Sequence, residues 1–335
     1  AGYASPKGYS LVDKRLFMTE KWFEDDYDEK REKCKVPDDL TFKTKPELAA
    51  EMFLDIVAKD NLLFNYIVAD NLYGNSPTFI DAVESCVDKT YMVSAACNTL
   101  FWLRRPVTEE HVYQHEGEQR SKQVLAENEK PAMRFDDFAK NLHNVFWYKR
   151  TVSEGAKGPI EYEFTKRNVT LAKDGVPDRN VWLIIRRTVG KNPDYSYYIS
   201  NAPVSTRLNF FVWLSGIRWA VEQCFQECKS GLGMGEYQVR KYTGWNHHML
   251  TCMLAHFFLW HIKIALDDKA PAITLPQIRL LLEVVLPMKT FSRKEAIEVV
   301  KWVQIKNHKA YLSHRKRKLG LNLSGDDLLM DLVMR

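Results

Sequence analysis

Tyr66-Ile67-Val68-Ala69-Asp70 decides the fold class, because four consecutive apolar residues closed by an acid read as a short strand buried on both faces of an α/β sheet. The acid then stands at the strand's carboxyl end, where open α/β sheets place their ligands. Upstream, Thr44-x-x-Glu47 with Pro46 in the first turn is a capping box, opening a helix expected to pack through Leu48, Met52 and Ile56. Downstream, Ser76-Pro77 opens a second helix, and Thr90 to Ala95 returns as a strand. Further back, Ser5-Pro6-Lys7-Gly8 is a turn before a strand over Tyr9 to Phe17, and Glu20 to Asp39, with nine acids against five bases, is an exposed connection.

The alternation stops near Asn98. From there to Arg207 the sequence suggests a polar helical stretch around Glu109 to Asn128, then strands over Val145 to Val152, Ile160 to Leu171, Val181 to Val189 and Tyr195 to Ser200. Helical patterning resumes after Pro203 and stops at Gly231-Leu232-Gly233, and a long apolar helix follows from about His247 to Leu266. His256, His261 and Lys263 interrupt that apolar stretch, which reads as a core helix rather than a membrane span.

At 335 residues, 45% hydrophobic and 27% charged, the chain can bury a sizeable core and lies far from the composition of disordered chains. The net charge of +5 does not by itself announce nucleic acid. Six cysteines without a CxxC pair indicate neither a disulfide framework nor a common zinc motif, and no signal peptide opens the chain, so a cytoplasmic setting is expected.

Arg218, Glu222 and Lys229 share one helix face within roughly 40° at 100° per residue, so a carboxylate is flanked by two cations. A surface salt-bridge ladder gives the same spacing, but Asp70 offers a second carboxylate from a strand end, and two such acids suit a shared divalent cation. Val68 to Gly74 (VADNLYG), Tyr197 to Pro203 (YYISNAP) and Arg218 to Leu259 together resemble the DDE transposases of bacterial insertion sequences. Their C-terminal signature is Tyr, two residues, Arg, three residues, Glu, six residues, Lys. Arg218, Glu222 and Lys229 fit it, while Ser215 stands at the Tyr position.

The resemblance implies an α/β, ribonuclease H-like mixed sheet flanked by helices. It divides the chain into a first part of the catalytic domain over 1–97, N-terminally incomplete, a β-rich insertion domain over 98–207, a second catalytic part over 208–285 and a basic C-terminal region over 286–335. The 151 residues between Asp70 and Glu222 exceed what the intervening core elements need. It further implies metal-dependent cleavage of element-end DNA and strand transfer, with Asp70 and Glu222 as catalytic carboxylates and ligands of Mg²⁺, or Mn²⁺ in its place. Double-stranded DNA of transposon ends and target would be the partner, in a homodimeric synaptic complex without a membrane, associated with the bacterial nucleoid. The family's first aspartate has no counterpart here, since Asp13 falls on the expected Tyr9 to Phe17 strand without an assigned role, so the chain alone is expected to be inactive. A non-catalytic DNA-binding remnant and a metal-dependent nuclease are the alternatives.

DNA contacts are expected from Arg218, Lys229 and Tyr73, and from Tyr237, Arg240, Lys241 and His248, where aromatic and basic residues interleave. Arg315, Lys316 and Arg317 belong to a run from Lys301 to Gly325 holding seven Lys or Arg and no acid. Cys224 and Cys228, four residues apart, read as buried thiols rather than zinc ligands.

Overall fold

The computed structural model describes residues 1–115, 118–155, 158–237, 240–266, 269–270, 273–286 and 292–319. Its strands are β1 Gly2–Ser5, β2 Gly8–Leu11, β3 Tyr66–Ala69, β4 Thr90–Ala95, β5 Leu100–Trp102, β6 Thr108–His115, β7 Glu118–Leu125, β8 Met133–Arg134, β9 Tyr148–Gly155, β10 Gly158–Lys173, β11 Val176–Thr188 and β12 Tyr195–Ser200. The helices are α1 Asp28–Cys34, α2 Lys45–Lys59, α3 Asn71–Gly74, α4 Pro77–Glu84, α5 Phe135–Asn141, α6 Leu208–Gly231, α7 Tyr242–Ala265, α8 Leu275–Val285 and α9 Arg293–Leu319. They form two units, one of residues 43–153 and 161–218, the other of 1–42, 154–160 and 219–335.

The first unit is mixed α/β. Its sheet runs β3-β4-β12-β11-β10-β5-β8, with β9 paired to β10. Among the pairs with a described register, β3 and β4 are parallel, as a strand-helix-strand crossover requires, and the others in this sheet are antiparallel. One sheet face is covered by α2, α4 and α5, with Phe53, Phe79, Val83, Tyr91, Phe135 and Leu183 buried between them. The other is covered by the first half of α6, which buries Phe211 and Leu214 against Met92, Phe164, Trp182 and Ile184. The fold class expected from the sequence is therefore present: a central mixed sheet flanked by helices.

Several expectations are corrected. Residues 98–207 do not form a sheet of their own, because β10 to β12 are joined through β12 to β4, Met92 opposite Ser200. The stretch expected as a polar helix is the β6–β7 ribbon, Thr108 opposite Leu125 to His115 opposite Glu118. Polar residues on both faces erase the period-two signal that normally marks a strand. The helix over 45–59 has its capping box, Thr44 with Glu47, but buries Ala50 and Phe53 rather than Leu48, Met52 and Ile56, a rotation of about 130°. β3 is half-buried rather than enclosed, being at the end of the described sheet with β4 as its partner.

In the second unit, the β1–β2 hairpin lies on α7, where the Tyr9 ring meets the Trp260 ring at 4.5 Å. Leu259 of α7, Ile273, Leu275 and Ile278 at α8 and Val300 of α9 close a separate core. β2 ends at Leu11, so Asp13 follows the strand instead of lying on it. Its carboxylate is held by Arg15 Nη1 at 2.8 and 2.9 Å and by the Lys14 backbone N–H at 2.7 Å.

Candidate active site

Asp70 terminates β3 and caps the single turn α3: its Oδ1 accepts from the Leu72 N–H at 3.0 Å and its carbonyl from the Gly74 N–H at 3.0 Å. The side chain is exposed, and Oδ2 has no hydrogen-bond partner among the described residues. The rest of the VADNLYG motif locks this turn to β4. A Cβ at Gly74 would fall 2.0 Å from the Ser94 carbonyl oxygen, so only glycine permits the approach. Asn75 Oδ1 accepts from the Ala96 N–H at 3.3 Å. From the YYISNAP motif, Asn201 Oδ1 accepts from the Tyr91 N–H at 2.8 Å and its amide donates to the Lys89 carbonyl at 3.1 Å, fastening the start of β4. Tyr73, expected at the DNA, turns its ring inward onto Phe79 at 5.5 Å. Burial, with the nearby Asp70 charge second, pushes its phenol above the usual range.

α6 carries the second half of the expected signature. Phe210 and Trp213 meet Tyr66 at 5.2 and 5.5 Å, so the helix starts over the beginning of β3. Phe211, Leu214 and Ser215 face the sheet. Ser215, at the family's Tyr position, is buried and donates its hydroxyl to the Val212 carbonyl at 2.7 Å, which removes it from any phosphate. The helix is unbroken from Leu208 to Gly231, so Arg218, Glu222 and Lys229 share one stripe of it at 100° per residue. Arg218 is half-buried, while Glu222 and Lys229 are exposed. Lys229 Nζ stands 5.7 Å from the Phe225 ring centroid.

Within the second unit, the other face of α6 holds a polar cluster the sequence did not reveal. Glu227 Oε1 accepts from Tyr9 Oη at 2.9 Å and from Gln223 Nε2 at 3.1 Å, while Oε2 accepts from His256 Nε2 at 2.8 Å. His256 is fully buried, and its Nδ1 has no hydrogen-bond partner among the described residues. Burial pushes the Glu227 carboxyl up, but the donors from His256, Gln223 and Tyr9 prevail and hold it below the usual carboxylate range. The only sequence signal was a histidine inside an otherwise apolar helix. Beside it, Cys224, Cys228 and Cys252 are buried with Leu11, Met234 and Met253. Burial pushes the Cys224 and Cys228 thiols up to about 12, keeping them protonated and unfit as metal ligands.

Tyr237 stacks on His248 at 4.9 Å, and His248 Nε2 lies 3.1 Å from the Gly233 carbonyl, where Gly233 takes φ +69°. These two side chains bind each other and the helix stop, while Arg240 and Lys241 are exposed. On α9, Arg315 donates to Tyr311 Oη at 3.2 Å. The Lys316 and Arg317 side chains lie outside the described residues.

Among the described residues, no group of three or more His, Cys, Asp or Glu side chains is placed to hold a metal ion. These residues alone do not complete a divalent-cation site. No helix among them is long and apolar enough to cross a membrane. Residues 2–155, a little under half of the chain, match the model of the DDE superfamily endonucleases, which supports a DDE transposase-type domain there. DNA is the substrate class of such a nuclease, and divalent metals generally serve the superfamily. The match contains Asp70 and Tyr73 and ends before Arg218, Glu222 and Lys229. No curated protein matches the chain.

Proposed function

We propose that the chain is the catalytic region of a DNA transposase, cutting element-end DNA and joining it to a target, with Asp70 and Glu222 as its catalytic carboxylates. The observation that carries this reading is Asp70. A DDE-type domain presents an exposed acid at the carboxyl end of its parallel β3–β4 pair, on a turn that only Gly74 allows. The stripe of Arg218, Glu222 and Lys229 supports it, since the family signature needs all three on one helix face. Arg218 and Lys229 then bind DNA phosphates as charge partners. Mg²⁺, with Mn²⁺ as substitute, is the proposed cofactor, and a homodimer on paired ends the proposed assembly.

The experiment is cleavage and strand transfer on supercoiled DNA carrying the element's ends, comparing a form of the protein extended upstream to supply the first aspartate with its Asp70→Asn and Glu222→Gln variants. Each neutral variant should keep its thermal midpoint and lose cleavage by about 10²-fold or more, as removing a group used in the transition state does. Cleavage that persists undiminished in both variants rejects the assignment. Cleavage without joining would favour a nuclease over a transposase.

A further inference from the structure

The sheet face that carries Asp70 also carries an arginine with no acid beside it among the described residues. Strand alternation puts Asp70 on the side of Val68, Met92 and Ile184, the side covered by α6. Ala69 is opposite Val93, so Asp70 continues onto the rung that joins Ser94, Tyr198, Ile184 and Lys166. Arg186 is two residues beyond Ile184 on β11, on that same side and past the carboxyl end of β3. Three strands across and two residues along place its backbone about 16 Å from the Asp70 position, at ~4.8 Å per strand and ~3.3 Å per residue.

The Arg186 guanidinium lies 4.3 Å from the Tyr162 ring centroid and 5.6 Å from that of Tyr198. Nη2 donates to Ser196 Oγ at 3.2 Å. Five N–H donors are available to an arginine, and this is the one hydrogen bond it makes among the described residues, with no carboxylate in ion-pair reach. Neighbouring arginines are different. Arg187, on the opposite face, pairs with Glu163 at 2.7 Å and donates to Asn144 at 3.0 Å, while Arg179 meets Asp81, Glu84 and Asp178. Lys166, on the Asp70 rung, also lacks an acid, but its ammonium is used by the Thr206 carbonyl and the Trp182 ring at 3.9 Å. Arg186 is thus a half-buried cation, oriented by two tyrosines and a serine, whose remaining donors match the oxygens of a phosphodiester.

We infer that Arg186 is a DNA-backbone clamp, holding a phosphate a few nucleotides from the bond presented to Asp70, with Tyr162, Tyr198 and Ser196 fixing its direction. This rests on the proposed function, since it needs DNA on the Asp70 side of the sheet. Lys166, Ser94 and the first half of α6 share that face and complete its surroundings.

The test measures binding of the full chain to a labelled DNA duplex by anisotropy from about 50 to about 200 mM salt. Arg186→Gln should lower the log-log salt slope by about 0.9 and weaken binding roughly eightfold at 0.1 M salt. Arg186→Lys should keep the slope while losing affinity, because the charge stays and the planar fork goes. If Arg186 serves only to stack on the tyrosines, both variants lose thermal stability and neither changes the slope; that result overturns the clamp. Should Arg186→Gln not fold, Ser196→Ala is the second variant, expected to weaken binding without altering the slope, and unchanged affinity there rejects the idea. Inorganic phosphate at constant ionic strength should not displace the duplex, and Arg186-dependent displacement would assign the site to a free anion instead. No DNA binding by the unaltered chain overturns the proposed function, whereas binding with an unchanged slope in Arg186→Gln overturns the clamp alone.

Discussion

Gly74 lies against Ser94 so closely that a Cβ on the glycine would stand 2.0 Å from the Ser94 carbonyl oxygen and 2.9 Å from Val93 Cγ2. The first of these atoms is backbone in the middle of a sheet, so the neighbour cannot move aside as a flexible side chain would. Gly74→Ala should therefore cost about 1–3 kcal/mol of folding stability, the range for overpacking a well-filled site. It should also displace the turn that orients Asp70. Urea unfolding checks the first effect, and an unchanged midpoint would show that α3 is not held against β4.

Glu227 supplies a pH dependence whose direction follows from the hydrogen bonds it accepts from His256, Gln223 and Tyr9. A carboxyl held below its ordinary value contributes stability that is complete above the unfolded pKa of about 4.3 and is lost as pH falls through the folded value. Glu227→Gln should cost about 1.5–3 kcal/mol at pH 7, the worth of a hydrogen bond to a charged group. The gap between the two proteins should close as pH drops through the acid range. A gap that stays constant from pH 7 to strongly acidic conditions would mean that Glu227 is neutral in the folded chain.

The three buried thiols should be chemically silent. Raised by burial, Cys224, Cys228 and Cys252 remain protonated at pH 8, and thiolate is the reactive form. Exposed Cys97 should react first with iodoacetamide in the folded protein. Peptide mass mapping before and after adding denaturant reads the order, and early labelling of Cys228 would contradict the packing of α6 on α7.

Lys229 separates a phosphate contact from a structural ladder. It is exposed and covers part of the Phe225 ring, so Lys229→Ala should change stability by no more than about 0.5 kcal/mol. DNA binding should nevertheless lose about one unit of salt slope. A large drop in thermal midpoint with an unaltered slope would return the residue to the ladder reading.

Much of the Asp70 end was legible in the sequence because its determinants are local. The apolar run before Asp70, the Thr44 to Glu47 box and the Ser76-Pro77 opening each act within one turn or strand. The continuous helix that aligns Arg218, Glu222 and Lys229 was legible for the same reason. What escaped depends on partners distant in the chain. Arg186 is distinguished from Arg187 only by which sheet face it takes and whether Glu163 is opposite, and that is fixed by β10 register. Glu227 gains meaning only from Tyr9 and His256, which are 218 and 29 residues away. Residues 108–115 and 118–125 escaped for another reason: with both faces largely in water, neither helical nor strand periodicity is imposed on them.

The pairing of β4 with β12 has a consequence for synthesis. β3, which ends in Asp70, finds its partner β4 within about 25 residues, but the other edge of β4 stays open until Ser200 and Asn201 have been made, more than a hundred residues later. On a ribosome adding about 5–20 residues per second, that edge is exposed for several seconds or longer. A nascent chain halted before Tyr195 would carry the Asp70 turn on a two-strand stub whose free backbone invites pairing with other chains. The acid is thus translated early and its platform finished late, so premature termination within residues 98–194 should yield aggregates rather than a partially competent nuclease.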